Sequence, residues 1–468
     1  MLLNSRKRNL LISVLVGVMI WFLPPPEGVD LNGWKLFAIF VGTIATVVLD
    51  ALPMGAGTLL GLTVAVCTKT MPFKEAFSGY VSEVTWLVLI AFFIAHGFIQ
   101  TGLGKRIAYW IVALVGKRTV GLAYGLSFAD LLLAPAIPSV TARAGGVVFP
   151  IAQSLAYTFQ SRAEDGTARR IGAYLIMVAF HGTVITSAMF LTAMAANPLA
   201  AKLAGQAGVQ ITWGNWALAA LVPGLLSLAV MPWVIMWAYP PELKATPHAV
   251  EHARRELHAM GPMSRAEKLM AVGFVGLLAL WIFGPLVKID ATTTALLGLA
   301  FLLVTDVLSW QDLLKQHNAW ETFIWFGALI ALADGLNKFG LAAWFGNWAA
   351  ALLGGTHWGV AVLGLFLIYF YVHYFFASST AHVGALYLPF LLVGIKLGAP
   401  PLMTALAFAF ASNLFGGLTH YGCGPAPILY GAGFVSLKDW WRVGFIMSVV
   451  NIVIWLTAGV AWWAWLGY

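Results

Sequence analysis

The stretch EVTWLVLIAFFIAHGFIQTGLG, which begins at Glu83, constrains the whole chain, because after its first residue it carries no Asp, Glu, Lys or Arg. Runs of this kind recur, and they repeatedly reach the roughly 20 residues that an α-helix needs to cross about 30 Å of hydrocarbon. Of the 468 residues 61% are hydrophobic and only 9% charged, so water cannot be the solvent for most of the surface. The runs are too long for the alternating segments of a membrane β-barrel. The expected fold is therefore all-α and polytopic, with about 11 transmembrane helices. The first run, Leu10 to Leu23, has no small-residue cleavage site and reads as a retained span.

A net charge of +8 could point to nucleic acid, but the basic residues sort by membrane side and form no continuous patch. With NSRKRN placed inside, Lys105, Arg106, Lys117, Arg118, Arg162, Arg169, Arg170, Arg254, Arg255, Arg265 and Lys268 all fall on the cytoplasmic side. The positive-inside rule then predicts a cytoplasmic amino terminus in a cell inner membrane. The lipid bilayer is an expected partner and nucleic acid is not. The two cysteines, Cys67 and Cys423, lack both a disulfide framework and metal-ligand spacing, so no metal and no cofactor is expected. There is no HExxH and no GxSxG, and His373 and His382 are flanked by no acidic pair, which argues against an intramembrane enzyme.

The chain repeats itself. Laid over ETFIWFGALIALADGLNKFGLA, the Glu83 stretch puts Glu83 on Glu321, Ala95 on Ala333, Gly97 on Gly335 and Gly102 on Gly340. One residue further in register, PSVTAR meets SSTAH: Ser139 on Ser378, Thr141 on Thr380, Ala142 on Ala381 and Arg143 on His382. In the topology set by the charges, the first of these lies in a hairpin entered from the cytoplasm and the second in one entered from outside. The repeats are thus expected to be inverted, the usual build of a secondary transporter. A passive anion channel would also use Arg143, but broken inverted repeats favour a carrier.

The helix breaks are legible. Pro135 and Pro138 interrupt the first hairpin, HYFFASST leads to the second tip, Asn197-Pro198 interrupts MFLTAMAANPLA, and NLFGGLTHYGCGPAPILYG is rich in glycine and proline. Irregular backbone at membrane depth is tolerated only beside protein or a water-filled cavity. The resulting plan is a first inverted repeat over 1–239, with its hairpin tip near 139–141 and a broken helix near 187–198. A cytoplasmic linker follows over 240–266. The second repeat covers 267–468, with its tip near 378–380 and a broken helix near 413–427. The candidate substrate contacts are Ser139, Val140, Thr141, Asn197, Pro198, Ser378, Ser379, Thr380, Gly424 and Pro425, with Thr192, Thr419, His420 and Tyr421 as further contacts.

At these residues the chain resembles the divalent anion:sodium symporter family, transporters of di- and tricarboxylates. The resemblance spans essentially the whole chain. Within the family, MFLTAMAANPL and GGLTHYGCGPAP are most similar to the bacterial citrate, tartrate and 2-oxoglutarate exchangers and the plastid 2-oxoglutarate/malate translocators. The resemblance implies a homodimer in which each protomer has a scaffold part, including Leu10 to Cys67 and Met270 to Leu303, and a moving part built from the hairpins and broken helices. It implies di- or tricarboxylate cargo of the succinate, malate, fumarate, 2-oxoglutarate, citrate or tartrate class. Family members carry Ser-Asn-Thr at each tip, where sodium-coupled relatives use the asparagine in binding sodium. Here Val140 offers no side-chain oxygen and Ser379 only one.

Arg143 and His382 stand nearby as candidate built-in cations in place of sodium. An arginine at bilayer depth costs roughly 2.5 to 3.5 kcal/mol, so it needs a counter-charge, which an anionic substrate could supply. An empty site holding both cations would cross the membrane uncompensated, which predicts obligatory exchange. An unperturbed histidine titrates near pH 6.5, so transport is also expected to depend on pH. The alternatives are a structural ion pair between Arg143 and Asp130, and a sodium- or proton-coupled symporter of the same fold.

Overall fold

The computed structural model describes residues 5–352 and 357–468; Met1–Asn4, which end within the basic amino-terminal stretch, and 353–356 lie outside. Among the described residues every regular element is helical, apart from an isolated antiparallel bridge between Arg118 and Ala245. Among the described residues, nine helices are long and apolar enough to span a bilayer, and four shorter apolar ones accompany them, as expected of a polytopic membrane protein. The chain divides into two compact units that do not follow its linear order. The first comprises Met1–Leu89, Pro198–Ile211 and Leu314–Ala409; the second comprises Ile90–Asn197, Thr212–Leu313 and Phe410–Tyr468.

In the first unit, the helices Ser5–Phe22 and Leu31–Val48 pack together, and Asp30 caps the latter by accepting from the Asn32 and Gly33 N–H groups. Met54–Cys67 packs on Leu31–Val48 and on His317–Lys338. Gly79 is required beside this last helix, because a Cβ there would collide with the Gly327 carbonyl. Asp334, polar within an apolar helix, accepts from the Gln206 side chain.

The second unit is organised around Gly172–Met189, a predominantly apolar helix that is buried along its full 18 residues. Thr119–Leu133, Phe149–Thr158 and Trp213–Ala238 surround it. Large buried tryptophans hold this packing through their indole N–H groups: Trp216 donates to the Ala188 carbonyl at 2.9 Å, and Trp463 to that of Ala219 at 2.8 Å. The linker region carries the helix Pro247–Ala259, which lies on Leu103–Val115. There Arg106 and Glu267 form a buried two-bond ion pair at 2.6 and 3.2 Å, and Arg106 also donates to the Gly261 carbonyl.

From the capping serine onward, the two hairpins share the same order of elements. In the second unit, Thr119–Leu133 ends, the chain breaks, Ser139 caps a one-turn helix Val140–Arg143, a wide turn Ala144–Val148 follows, and Phe149–Thr158 completes the arm. In the first unit, Trp358–Tyr371 and a tight turn Val372–Phe375 lead to Ser378, then Ser379–His382, a wide turn Val383–Tyr387 and Leu388–Lys396. The wide turns have a simple cause. Pro150 and Pro389 stand just after them and lack the N–H that the carbonyl four residues back would receive, so the spiral opens by one residue.

Candidate functional site

The first tip is built by what its prolines remove. With no N–H from Pro135 or Pro138, the helix cannot continue through the break, and Ser139 restarts it. The Ser139 backbone is extended (φ −84°, ψ 100°), its hydroxyl accepts from the Ala142 N–H at 3.1 Å, and its carbonyl accepts from Arg143 N–H at 2.9 Å. Ser139, Val140 and Thr141 are half-buried, whereas Arg143 two positions later is fully enclosed.

Arg143 uses every donor it has. Nε donates to Asp130 Oδ1 at 2.9 Å; Nη1 donates to the carbonyls of Ile137 and Ala193 at 2.7 and 2.9 Å; Nη2 donates to the Thr186 and Ser187 hydroxyls at 3.4 and 2.8 Å. Thr186 in turn donates to the other oxygen of Asp130. A guanidinium has five N–H groups, and here five protein oxygens accept them. The counter-charge is thus Asp130, itself 1% exposed, one helical arm before the tip. The guanidinium is spent within the fold and joins the hairpin's entering arm, its break, the central helix and the break that follows that helix. Its charge does not stand open to a ligand.

The broken helix is closed in a similar way. After Met189 the chain is extended at Phe190, makes a single tight turn Leu191–Ala193, is extended again at Met194, and resumes as Ala196–Gln206. Carbonyls left without helical partners are served by Asn197, whose amide donates to Ser187 O at 2.8 Å and Phe190 O at 3.0 Å. Its own oxygen accepts from Asn413 Nδ2 at 2.8 Å. Asn197 is therefore a buried brace between the two broken segments, and the division between the units falls just after it, so Pro198 belongs to the other unit. Thr192 is also committed, donating to Pro135 O at 2.6 Å and accepting from the Trp213 indole at 3.1 Å.

The second broken segment meets the first tip directly. A Cβ on Gly424 would overlap the Thr141 hydroxyl, so glycine lets this segment lie against the Thr141 side chain; Gly145 packs likewise on Ile428. Gly424 is exposed and Pro425 buried. Thr419 is fully buried, and its hydroxyl has no partner among the described residues. His420 accepts from the Trp441 indole at 3.2 Å and lies in an aromatic group with Tyr421 and Tyr430.

The second tip repeats the backbone with different side-chain chemistry. The Ser378 hydroxyl accepts from Ala381 N–H at 3.3 Å; Ser378 and Thr380 are half-buried and Ser379 is buried. His382, the counterpart of Arg143, is fully buried in an aromatic enclosure, with Tyr369 edge-on at 4.5 Å and Phe376 at 4.7 Å between ring centres. Its Nδ1 lies 3.1 Å from Nδ1 of His373, also buried, so one proton bridges the two rings. A second proton on that contact would set two N–H groups face to face.

Sequence reasoning missed Thr186, Ser187 and Asn413, and it weighed His373 with His382 only as a pair lacking flanking acids, with no place for His373 at the tip. The available signals were a pair of adjacent hydroxyls on a predominantly apolar helix and an amide at the head of the NLFGG break. Among the described residues no three of His, Cys, Asp and Glu converge as metal ligands.

Comparison with known proteins agrees with this architecture. The family model described as the sodium:sulfate symporter transmembrane region matches residues 4–468. The putative malate transporter YflS of Bacillus subtilis is 52% identical, covering 98% of this chain and 96% of its own. The chloroplast dicarboxylate transporter 1 of Spinacia oleracea is 50% identical over 98% of this chain and 81% of its own. The crystal structure of the Alcanivorax borkumensis YdaH transporter, described as having an unusual topology, aligns with a TM-score of 0.52 at 14% identity, over 99% of this chain and 97% of that one. This last likeness is one of fold.

Proposed function

Since the chain belongs to the sodium:sulfate symporter family, we propose that it is a secondary transporter exchanging di- and tricarboxylates across the membrane by alternating access. The family is one of membrane transporters and not of enzymes. The cargo class is that of succinate, malate, fumarate, 2-oxoglutarate, citrate or tartrate, a reading supported by relatives named for malate and dicarboxylates.

One observation carries the reading. Each hairpin tip, after an extended break, offers half-buried hydroxyls at the start of a helix, where N–H groups and the helix dipole favour a carboxylate. The proposed contacts are Ser139, Val140, Thr141, Gly424 and Pro425 for the first tip, and Ser378, Ser379 and Thr380 for the second. Asn197 and Arg143 act by positioning, through the bonds they make within the fold. Because Asp130 balances Arg143, the fixed charge there is neutral, and exchange without sodium rests on the missing tip amides and on His382. The protein is read as a homodimer of a cell inner membrane with its amino terminus cytoplasmic.

A second reading, proton-coupled symport, is favoured by the bridging proton of His373 and His382. Uptake of radiolabelled malate into proteoliposomes separates the two. Exchange requires uptake only into vesicles preloaded with dicarboxylate, with no response to sodium or to a pH gradient. Uptake into empty vesicles driven by a pH gradient would replace it with the second reading, and sodium-driven uptake would exclude both.

A further inference from the structure

In the second unit, remote from the hairpin tip, an open groove of about 410 Å³ lies at the helix ends, with Lys117, Arg118 and Lys244 at its rim and Leu114, Trp233 and Met236 on its wall. Its backbone is pinned. Thr119 N–H donates to Lys244 O at 3.2 Å and Thr246 N–H to Lys117 O at 2.9 Å, while the buried Thr119 and Thr246 hydroxyls donate to the carbonyls of Leu243 and Gly116 at 2.6 and 2.8 Å. These bonds surround the β-bridge between Arg118 and Ala245. They fix two chain segments side by side so that three cationic side chains stand exposed together. Among the described residues, none of the three makes a side-chain hydrogen bond or an ion pair.

The wall is layered differently. Leu114 is 78% and Trp233 57% exposed, large apolar surfaces on helices of a membrane protein, next to the point where Trp213–Ala238 ends and Thr119–Leu133 begins. A tryptophan at such a level with basic residues beyond it matches the boundary between acyl chains and head groups. Rim and wall together therefore fit one amphipathic anion, charged at one end and apolar at the other.

We propose that this groove binds an anionic phospholipid, its phosphate between Lys117, Arg118 and Lys244 and its acyl chain along Leu114 and Trp233. A free phosphate satisfies the rim and leaves the apolar wall unused, which favours the lipid. The proposal is independent of the transport reading.

The test is native mass spectrometry of the purified full-length protein with phosphatidylglycerol, phosphatidylcholine and sn-glycerol 3-phosphate. Each basic residue near an anionic head group contributes about fivefold in affinity, so the Lys117→Gln/Arg118→Gln/Lys244→Gln variant should lose phosphatidylglycerol retention by more than about tenfold. The same charge change on exposed residues elsewhere, Arg254→Gln/Arg255→Gln/Lys268→Gln, should leave it intact. Equal retention by both variants, no preference over phosphatidylcholine, or full displacement by glycerol phosphate would each overturn the proposal. Should the groove variant fail to fold, photo-crosslinking of the wild type with a photoactivatable phosphatidylglycerol decides the matter. Adducts on 114–121 or 233–236 support the site, and adducts confined to other segments refute it.

Discussion

The two hairpin tips share a backbone and differ in how they settle charge. Both restart a helix from a serine cap, both open into a wide turn ahead of a proline, and both place a basic side chain at the last residue of the one-turn helix. At the first tip that residue is an arginine whose charge is always present, and the fold neutralises it with Asp130 and four further oxygens. At the second it is a histidine whose charge is optional, set among aromatic rings and a second histidine. A permanent buried cation obliges the fold to supply a buried anion. A histidine can instead be buried uncharged, sharing a hydrogen bond with a second histidine and needing no buried anion. Repeat symmetry thus specified the scaffold of the tips and left their electrostatics to diverge.

The sharpest way to break this contrast is Asp130→Ala, which strands the guanidinium. It should destabilise the protein by about 3–5 kcal/mol, seen as a large fall in the melting temperature of the detergent-solubilised protein. Asp130→Leu combined with Arg143→Met should recover most of that loss. If uptake returns with it, Arg143 only positions the tip; if the recovered protein does not transport, the charge itself is used. Gly424→Ala comes next, at about 1–3 kcal/mol, because the new methyl overlaps the Thr141 hydroxyl. Adding Thr141→Ala should relieve that strain, and a double variant no more stable than Gly424→Ala alone would mean that the contact is misplaced. Asn413→Ala removes the donor to Asn197 and should cost about 1–3 kcal/mol while lowering the rate of uptake more than the apparent affinity. The smallest effect on stability, about 1 kcal/mol, is expected for His373→Phe, which removes one hydrogen bond from an aromatic surround. Its distinguishing readout is the pH profile of uptake, which should flatten relative to wild type, whereas Asp130→Leu/Arg143→Met should keep the wild-type profile.

Much of this architecture could be read directly. Charge-free runs such as Val84 to Gly104 are too long for barrel strands and read as helices in a bilayer, and the matched pairs Ser139/Ser378 and Thr141/Thr380 are legible in the sequence as equivalent positions. Pro135, Pro138 and the Asn197-Pro198 step marked the breaks, since a missing N–H is a local property of the chain. What stayed hidden were the partners. Asp130 could be named from the sequence as an alternative partner of Arg143, and the ion pair bears that alternative out, but nothing in the spelling of Thr186-Ser187 or Asn413 announced that they would converge on Arg143 or Asn197.

The chain's chemistry alone therefore determined that it is helical, spans a membrane and repeats, because hydrophobic run length, backbone donors and internal similarity are written in consecutive residues. Only the tertiary structure decided which polar groups are spent on holding the breaks and which remain half-exposed at the tips. Hydrogen bonds to Arg143 and Asn197 join residues distant in sequence, and burial makes each such pairing obligatory once the helices have packed.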